Sequence, residues 1–171
     1  MVEDAIIRWT ARLAVACYAG RLFCDASGKG HVTAQQTGRW FWTIGCVLYL
    51  LHVIAAFHFL HGWSHAAAFE HVRRRTLHDI GWDSGIGIYI NEGFTILWVI
   101  DTCLWWRRLE WPERRLPYWI VQTSFAFLMF QSTAVFGPRF WIPIASVLVL
   151  SLAVIHLRQT SVPVPRPPQS V

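Results

Sequence analysis

The chain has 171 residues, of which 54% are hydrophobic and only 15% are charged. Soluble domains carry about a quarter charged residues, so this composition argues against a soluble globular domain and indicates an integral membrane protein. The formal net charge is +5, but the basic residues fall in short connections such as Arg73–Arg75 and Arg107–Arg108. Such clusters anchor helices at anionic lipid headgroups, so we expect a lipid bilayer rather than a nucleic acid as the partner.

A bilayer core is about 30 Å thick and requires about 20 mostly apolar residues in each spanning helix. In chain order, the first apolar stretch covers residues 5–24 and contains Arg8, Arg12 and Arg21. Arg8 and Arg21 can reach opposite membrane faces, whereas Arg12 needs a partner inside the bundle. We expect this segment to span the membrane, with an amphipathic surface helix as the alternative.

Four further stretches satisfy the length and hydropathy of a spanning helix without this difficulty: residues 40–61, 86–106, 117–136 and 140–157. The sequence therefore predicts an all-α, multi-pass transmembrane bundle of about five helices. Eleven tryptophans, many of them where an apolar run meets a polar stretch, are typical of interfacial aromatic belts.

The domain organisation that follows is a single transmembrane domain over residues 1–161 and a Pro-rich, extended or disordered tail over 162–171. Within the longest connection, residues 64–78 contain helix-forming alanines and no breaker, which predicts an extension of the second helix beyond the membrane. The acidic start, the dense Trp and the lack of glycosylation sequons favour a bacterial inner membrane.

Histidines cluster after the second apolar stretch, and three of them, His58, His61 and His65, would share one face of a continuous helix. Imidazole is a common ligand for transition metals and haem, and i, i+3, i+4 spacing lets neighbours share one ion. We therefore consider a metal site formed by these histidines and Glu92, which lies inside the third stretch. The alternative is an interfacial patch of His and Trp wetted by headgroups.

Two sets of intramembrane polar residues could hold helices together. Depth along antiparallel helices predicts one polar layer of His58, Asn91, Glu92 and Gln131. Such a layer is either a ligand or proton-relay site or a hydrogen-bonded packing cluster. Toward the opposite face, we predict that Arg21 pairs with Asp101 and joins the first helix to the third.

Bis-histidine haem ligation inside the bilayer is disfavoured, because His156, the one membrane histidine outside the second helix, matches neither His52 nor His58 in depth. The chain also has no adjacent His pair of the kind found in membrane desaturases.

Two classes of function remain open. The first is a non-catalytic membrane subunit or scaffold, partnered by another membrane protein or by a second copy of the chain. The second is a metal- or haem-binding, redox-linked membrane protein. The sequence assigns neither an enzymatic activity nor a specific cofactor.

Overall fold

The computed structural model of the chain describes residues 2–27, 32–107 and 115–130, together with residues 143, 146–147 and 150–151. These ranges contain five helices: α1 (Val2–Ser27), α2 (Val32–Phe59), α3 (His65–Ile80), α4 (Gly87–Arg107) and α5 (Arg115–Phe130). The described residues contain no β-strand, so the all-α prediction is confirmed for them. α1 packs along α2, whereas α4 contacts α2, α3 and α5.

The first two helices are longer than predicted, because α1 continues to Ser27 and α2 already begins at Val32. Most of residues 25–39, which lie between the first two predicted stretches, are therefore helical. Packing explains the difference: a Cβ atom added at Gly38 would lie 3.4 Å from the Cβ of Cys24. The early part of α2 thus lies against the end of α1, and this contact stabilises helix beyond the apolar run.

A turn after α2 separates the two helices, so α3 is an independent helix and not a continuation of α2. Gly62 and Trp63 have positive φ values of 52° and 61°, and the backbone N–H of Trp63 donates to the carbonyl of Phe57. Ser64 caps α3 by accepting a hydrogen bond from the backbone N–H of Ala67 at 3.2 Å. The predicted extension is thus helical, but its continuity with α2 is wrong.

One described helix, α2, is long and apolar enough to cross a membrane by length and composition. α1 and α4 contain several ionisable residues, and α5 is described over 16 residues. The predicted span over 140–157 and the Pro-rich tail lie almost wholly outside the described residues. Over the residues that it describes, the structure therefore establishes an all-helical fold with one candidate membrane-spanning helix.

The core lies where α1, α2, α4 and α5 meet, and it is unusually aromatic. Trp42, Trp98 and Phe125 are completely buried, with ring centroids 4.5–5.1 Å apart. Close packing around them requires a glycine at position 45, because a Cβ there would lie 3.0 Å from the Trp98 ring and 3.1 Å from the Cβ of Cys17. Gly45 therefore brings α1, α2 and α4 to one point.

Candidate functional site

The three histidines predicted to share one helix face do not do so. His58 lies in the last turn of α2, His61 lies in the following turn, and His65 is the first residue of α3. The predicted stripe is wrong because α2 ends at Phe59, so the helical spacing does not continue through all three positions.

His58 is engaged by its neighbour in the turn. The indole N–H of Trp63 donates to Nδ1 of His58 at 3.2 Å. This nitrogen is thereby an acceptor, and the proton of a neutral imidazole is on Nε2. Neither nitrogen then presents a free lone pair, so this contact disfavours His58 as a metal ligand.

His65 and Glu92 contact each other and join α3 to α4. Nε2 of His65 donates to a carboxylate oxygen of Glu92 at 2.7 Å, and the ring of Tyr89 packs 5.5 Å from that of His65. Both side chains are about half exposed. Two of the predicted site residues are thus in contact. Gln131 lies outside the described residues, so the polar layer proposed for His58, Asn91, Glu92 and Gln131 stays a prediction.

His61 meets a histidine that was not among the predicted ligands. Its ring centroid is 5.2 Å from that of His71 on α3, with the ring planes at 73°. In the part of the chain that the structure describes, no three His, Cys, Asp or Glu side chains converge as metal ligands.

The arginine run on α3 is paired with carboxylates. Arg73 donates to both oxygens of Glu70 and contacts Asp83, and Arg75 forms an ion pair with Asp79 at 2.5 Å. Hydrogen bonding from Arg73 lowers the pKa of the Glu70 carboxyl, and the contacts to carboxylates raise the pKa of Arg73. This segment therefore presents less free positive charge than its sequence indicates.

Arg21 belongs to the second predicted set of polar residues, at the end of the bundle opposite His65 and Glu92. Its side chain is 2% exposed, and its guanidinium carbon lies 4.0 Å from the Trp42 ring centroid and 4.7 Å from that of Trp105. Its Nε also pairs with Asp25 one turn along α1, at 3.3 Å. Two indole faces and a carboxylate thus stabilise the buried cation.

Asp101 is 6% exposed and lies one helical turn before Trp105 on α4. Arg21 contacts the Trp105 ring, and the predicted pairing of Arg21 with Asp101 stays a prediction.

Two other polar contacts in the bundle could not be predicted from the sequence. The hydroxyl of buried Tyr18 donates to Oε1 of Gln122 at 3.0 Å and joins α1 to α5. Nδ1 of His52 donates to the carbonyl of Ile7 at 2.9 Å and joins α2 to α1. Each residue looks ordinary in the sequence, because its partner is distant along the chain.

Comparison with protein-family models, with curated proteins and with solved structures found no match.

Proposed function

We propose that the protein is a multi-pass integral membrane scaffold, a non-catalytic subunit whose polar residues hold its helices together and whose outer surface faces lipid and a membrane partner. The observation that carries this proposal is the aliphatic outer surface of the bundle, which accompanies a core that is itself apolar.

Large aliphatic side chains are exposed on the surface of the bundle, while a few polar side chains are buried within its mainly apolar core. Arg21, Asp101 and Gln122 are each less than a tenth exposed. By contrast, Val47 on α2 is 51% exposed and Ile96 on α4 is 60% exposed. Further large aliphatic side chains exposed on α1, α2, α4 and α5 are Leu13, Ile44, Leu51, Ile54, Ile100 and Ile120. Such a surface is costly in water and favourable in hydrocarbon.

Exposed tryptophans lie at both ends of the α2–α4 pair. Trp40 on α2 packs 5.1 Å from Trp106 on α4, and Trp63 and Trp82 lie beyond the opposite ends of the two helices. A rise of 1.5 Å per residue places Trp40 about 29 Å from the end of α2 at Phe59, and Trp106 about 29 Å from the start of α4 at Gly87, which is close to the thickness of a bilayer core. This spacing supports two aromatic belts and favours membrane crossing by both helices.

The contacts of the polar residues support a structural role. Tyr18 with Gln122, His52 with the carbonyl of Ile7, and His65 with Glu92 each connect two different helices. Polar contacts between helices contribute about 0.6 kcal/mol each in a membrane protein, and they fix which faces meet. A scaffold requires this kind of fixed shape.

Cysteine labelling tests the topology. In a background with the four native cysteines replaced by alanine, single cysteines are introduced by Thr33→Cys, Ala66→Cys and Arg107→Cys, all exposed positions. If α2 and α4 both span, a membrane-impermeant maleimide added to intact bacterial cells labels either Ala66→Cys alone or the other two alone. Inverted vesicles give the complementary pattern.

Labelling of Ala66→Cys and Arg107→Cys from the same side would contradict the crossing by α4. Labelling of Thr33→Cys and Ala66→Cys from the same side would contradict the crossing by α2.

Native mass spectrometry tests the scaffold role, with the full chain extracted from its own membranes into lipid nanodiscs. We expect a complex of fixed stoichiometry, containing a second protein or further copies of the chain, and no visible absorption band. A monomer that carries a stoichiometric haem or flavin would overturn the proposal.

A further inference from the structure

Two imidazoles meet beyond the end of α2, in the part of the chain that follows the proposed membrane-spanning segment. His61 lies in the turn and is partly exposed, and His71 lies two turns into α3 and is exposed. Their ring centroids are 5.2 Å apart and their planes are inclined by 73°. Ions in solution can therefore reach both rings.

This separation is the one that two imidazoles have when they share a metal. A zinc–nitrogen bond is about 2.0–2.1 Å, so each ring centre lies about 3.2 Å from the ion, and a tetrahedral angle places the two centres about 5 Å apart. In the structure the rings meet edge to face, and rotation of the side chains would bring one nitrogen of each ring to a common position.

We propose that His61 and His71 form a two-histidine site for a divalent transition-metal ion, Zn²⁺ or Cu²⁺, with water completing the coordination. Imidazole nitrogen suits both ions, and Cu²⁺ binds such ligands most tightly among the first-row divalent metals. The bound ion would link the turn after α2 to the middle of α3. This site does not depend on the scaffold role proposed above.

The neighbouring histidines make the pairing selective. Nδ1 of His58 already accepts from Trp63, and His65 already contacts Glu92 and the Tyr89 ring on α4. The positive charge near the site is also reduced, since Arg74 contacts Glu70 at 3.6 Å and Arg75 pairs with Asp79. His61 and His71 are therefore the two histidines whose ring separation approaches that of two ligands on one metal ion.

Metal titration of the purified full chain, produced without a polyhistidine tag, tests the site. Zn²⁺ affinity is measured by calorimetry, and Cu²⁺ coordination is measured by electron paramagnetic resonance, which counts coupled imidazole nitrogens. We expect one ion per chain and two coupled nitrogens in the wild type. His61→Phe and His71→Phe should each lower the affinity at least about tenfold and leave one coupled nitrogen.

Phenylalanine retains an aromatic ring at each position, so the variants keep a ring contact and lose the nitrogen donors; circular dichroism confirms that the helices are retained. His58→Phe and His65→Phe are matched controls in the same segment and should leave the affinity unchanged. The site is refuted if the wild type binds Zn²⁺ no more tightly than the His61→Phe/His71→Phe double variant. In that case the two rings form an edge-to-face contact only.

Discussion

Replacing Trp98 by alanine is expected to destabilise the bundle by about 3–5 kcal/mol, the usual cost of removing a large aromatic side chain from a core. Trp98 is completely buried, and its ring lies 4.6 Å from Phe125, 5.1 Å from Trp42 and 5.6 Å from Phe94. Lipid chains solvate apolar groups as well as a protein core does, so the loss comes mainly from packing contacts across the cavity left behind.

Ile96→Ala is the matched control, because Ile96 is on the same helix but is 60% exposed. Unfolding of both variants is followed by helical signal in mixed micelles with increasing sodium dodecyl sulfate. We expect the control to stay within about 0.5 kcal/mol of the wild type, as exposed substitutions usually do. Equal losses for the two variants would show that Trp98 is not a core residue.

Arg21→Ala is expected to cost about 2–4 kcal/mol, because it removes a buried cation together with its aromatic contacts and its pairing with a partly exposed carboxylate. The change leaves Asp25, which is 28% exposed, without its cation. It also removes the cation–π contacts with Trp42 and Trp105, each worth up to about 2 kcal/mol when desolvated.

Arg8→Ala separates this effect from a general effect of charge. Arg8 is on the same helix and pairs with Asp4 at 4.0 Å, but its side chain is 67% exposed, so its removal should change the free energy of unfolding very little. Arg21→Lys adds a second comparison: it keeps the charge and loses the planar face that stacks on two indoles. We expect an intermediate loss, and a loss for Arg21→Ala no larger than for Arg8→Ala would contradict the buried pair.

Helix content was the part of the fold that the sequence could predict. The uncharged apolar run of α2 and the helix-forming alanines of α3 specify helices by local composition alone. The break between them was not predicted, because it depends on positive φ at Gly62 and at Trp63. Tryptophan does not favour that region of backbone space, so the residue type gives no warning.

The error at this turn explains the errors in the candidate site. The histidine stripe assumed a continuous helix, and the end of α2 at Phe59 divides its members among different partners. His71 was missed because its contact with His61 arises from the turn between α2 and α3. Glu92 contacts His65, and the position where α3 begins brings these two side chains together.

The surroundings of the buried Arg21 show a second limit of prediction from sequence. Its high cost inside a membrane predicted a stabilising neighbour for Arg21, and a carboxylate was the expected one. The faces of Trp42 and Trp105 were not expected, since stacking on an indole leaves no characteristic spacing in a sequence. Aromatic residues that a sequence assigns to an interfacial belt or to a core can also stabilise a cation through their ring faces.

The aromatic environment of Arg21 also has a consequence for how the protein is made. Domains emerge from the ribosome with the N-terminal part first, and Trp42 and Trp105 both follow Arg21 in the chain. If the chain is the multi-pass membrane protein proposed above, α1 reaches the membrane with a cation whose aromatic neighbours have not yet been synthesised. We then expect α1 to stay at the interface and to enter the bilayer together with α2 as one hairpin, and α4 to pack against the arginine afterwards.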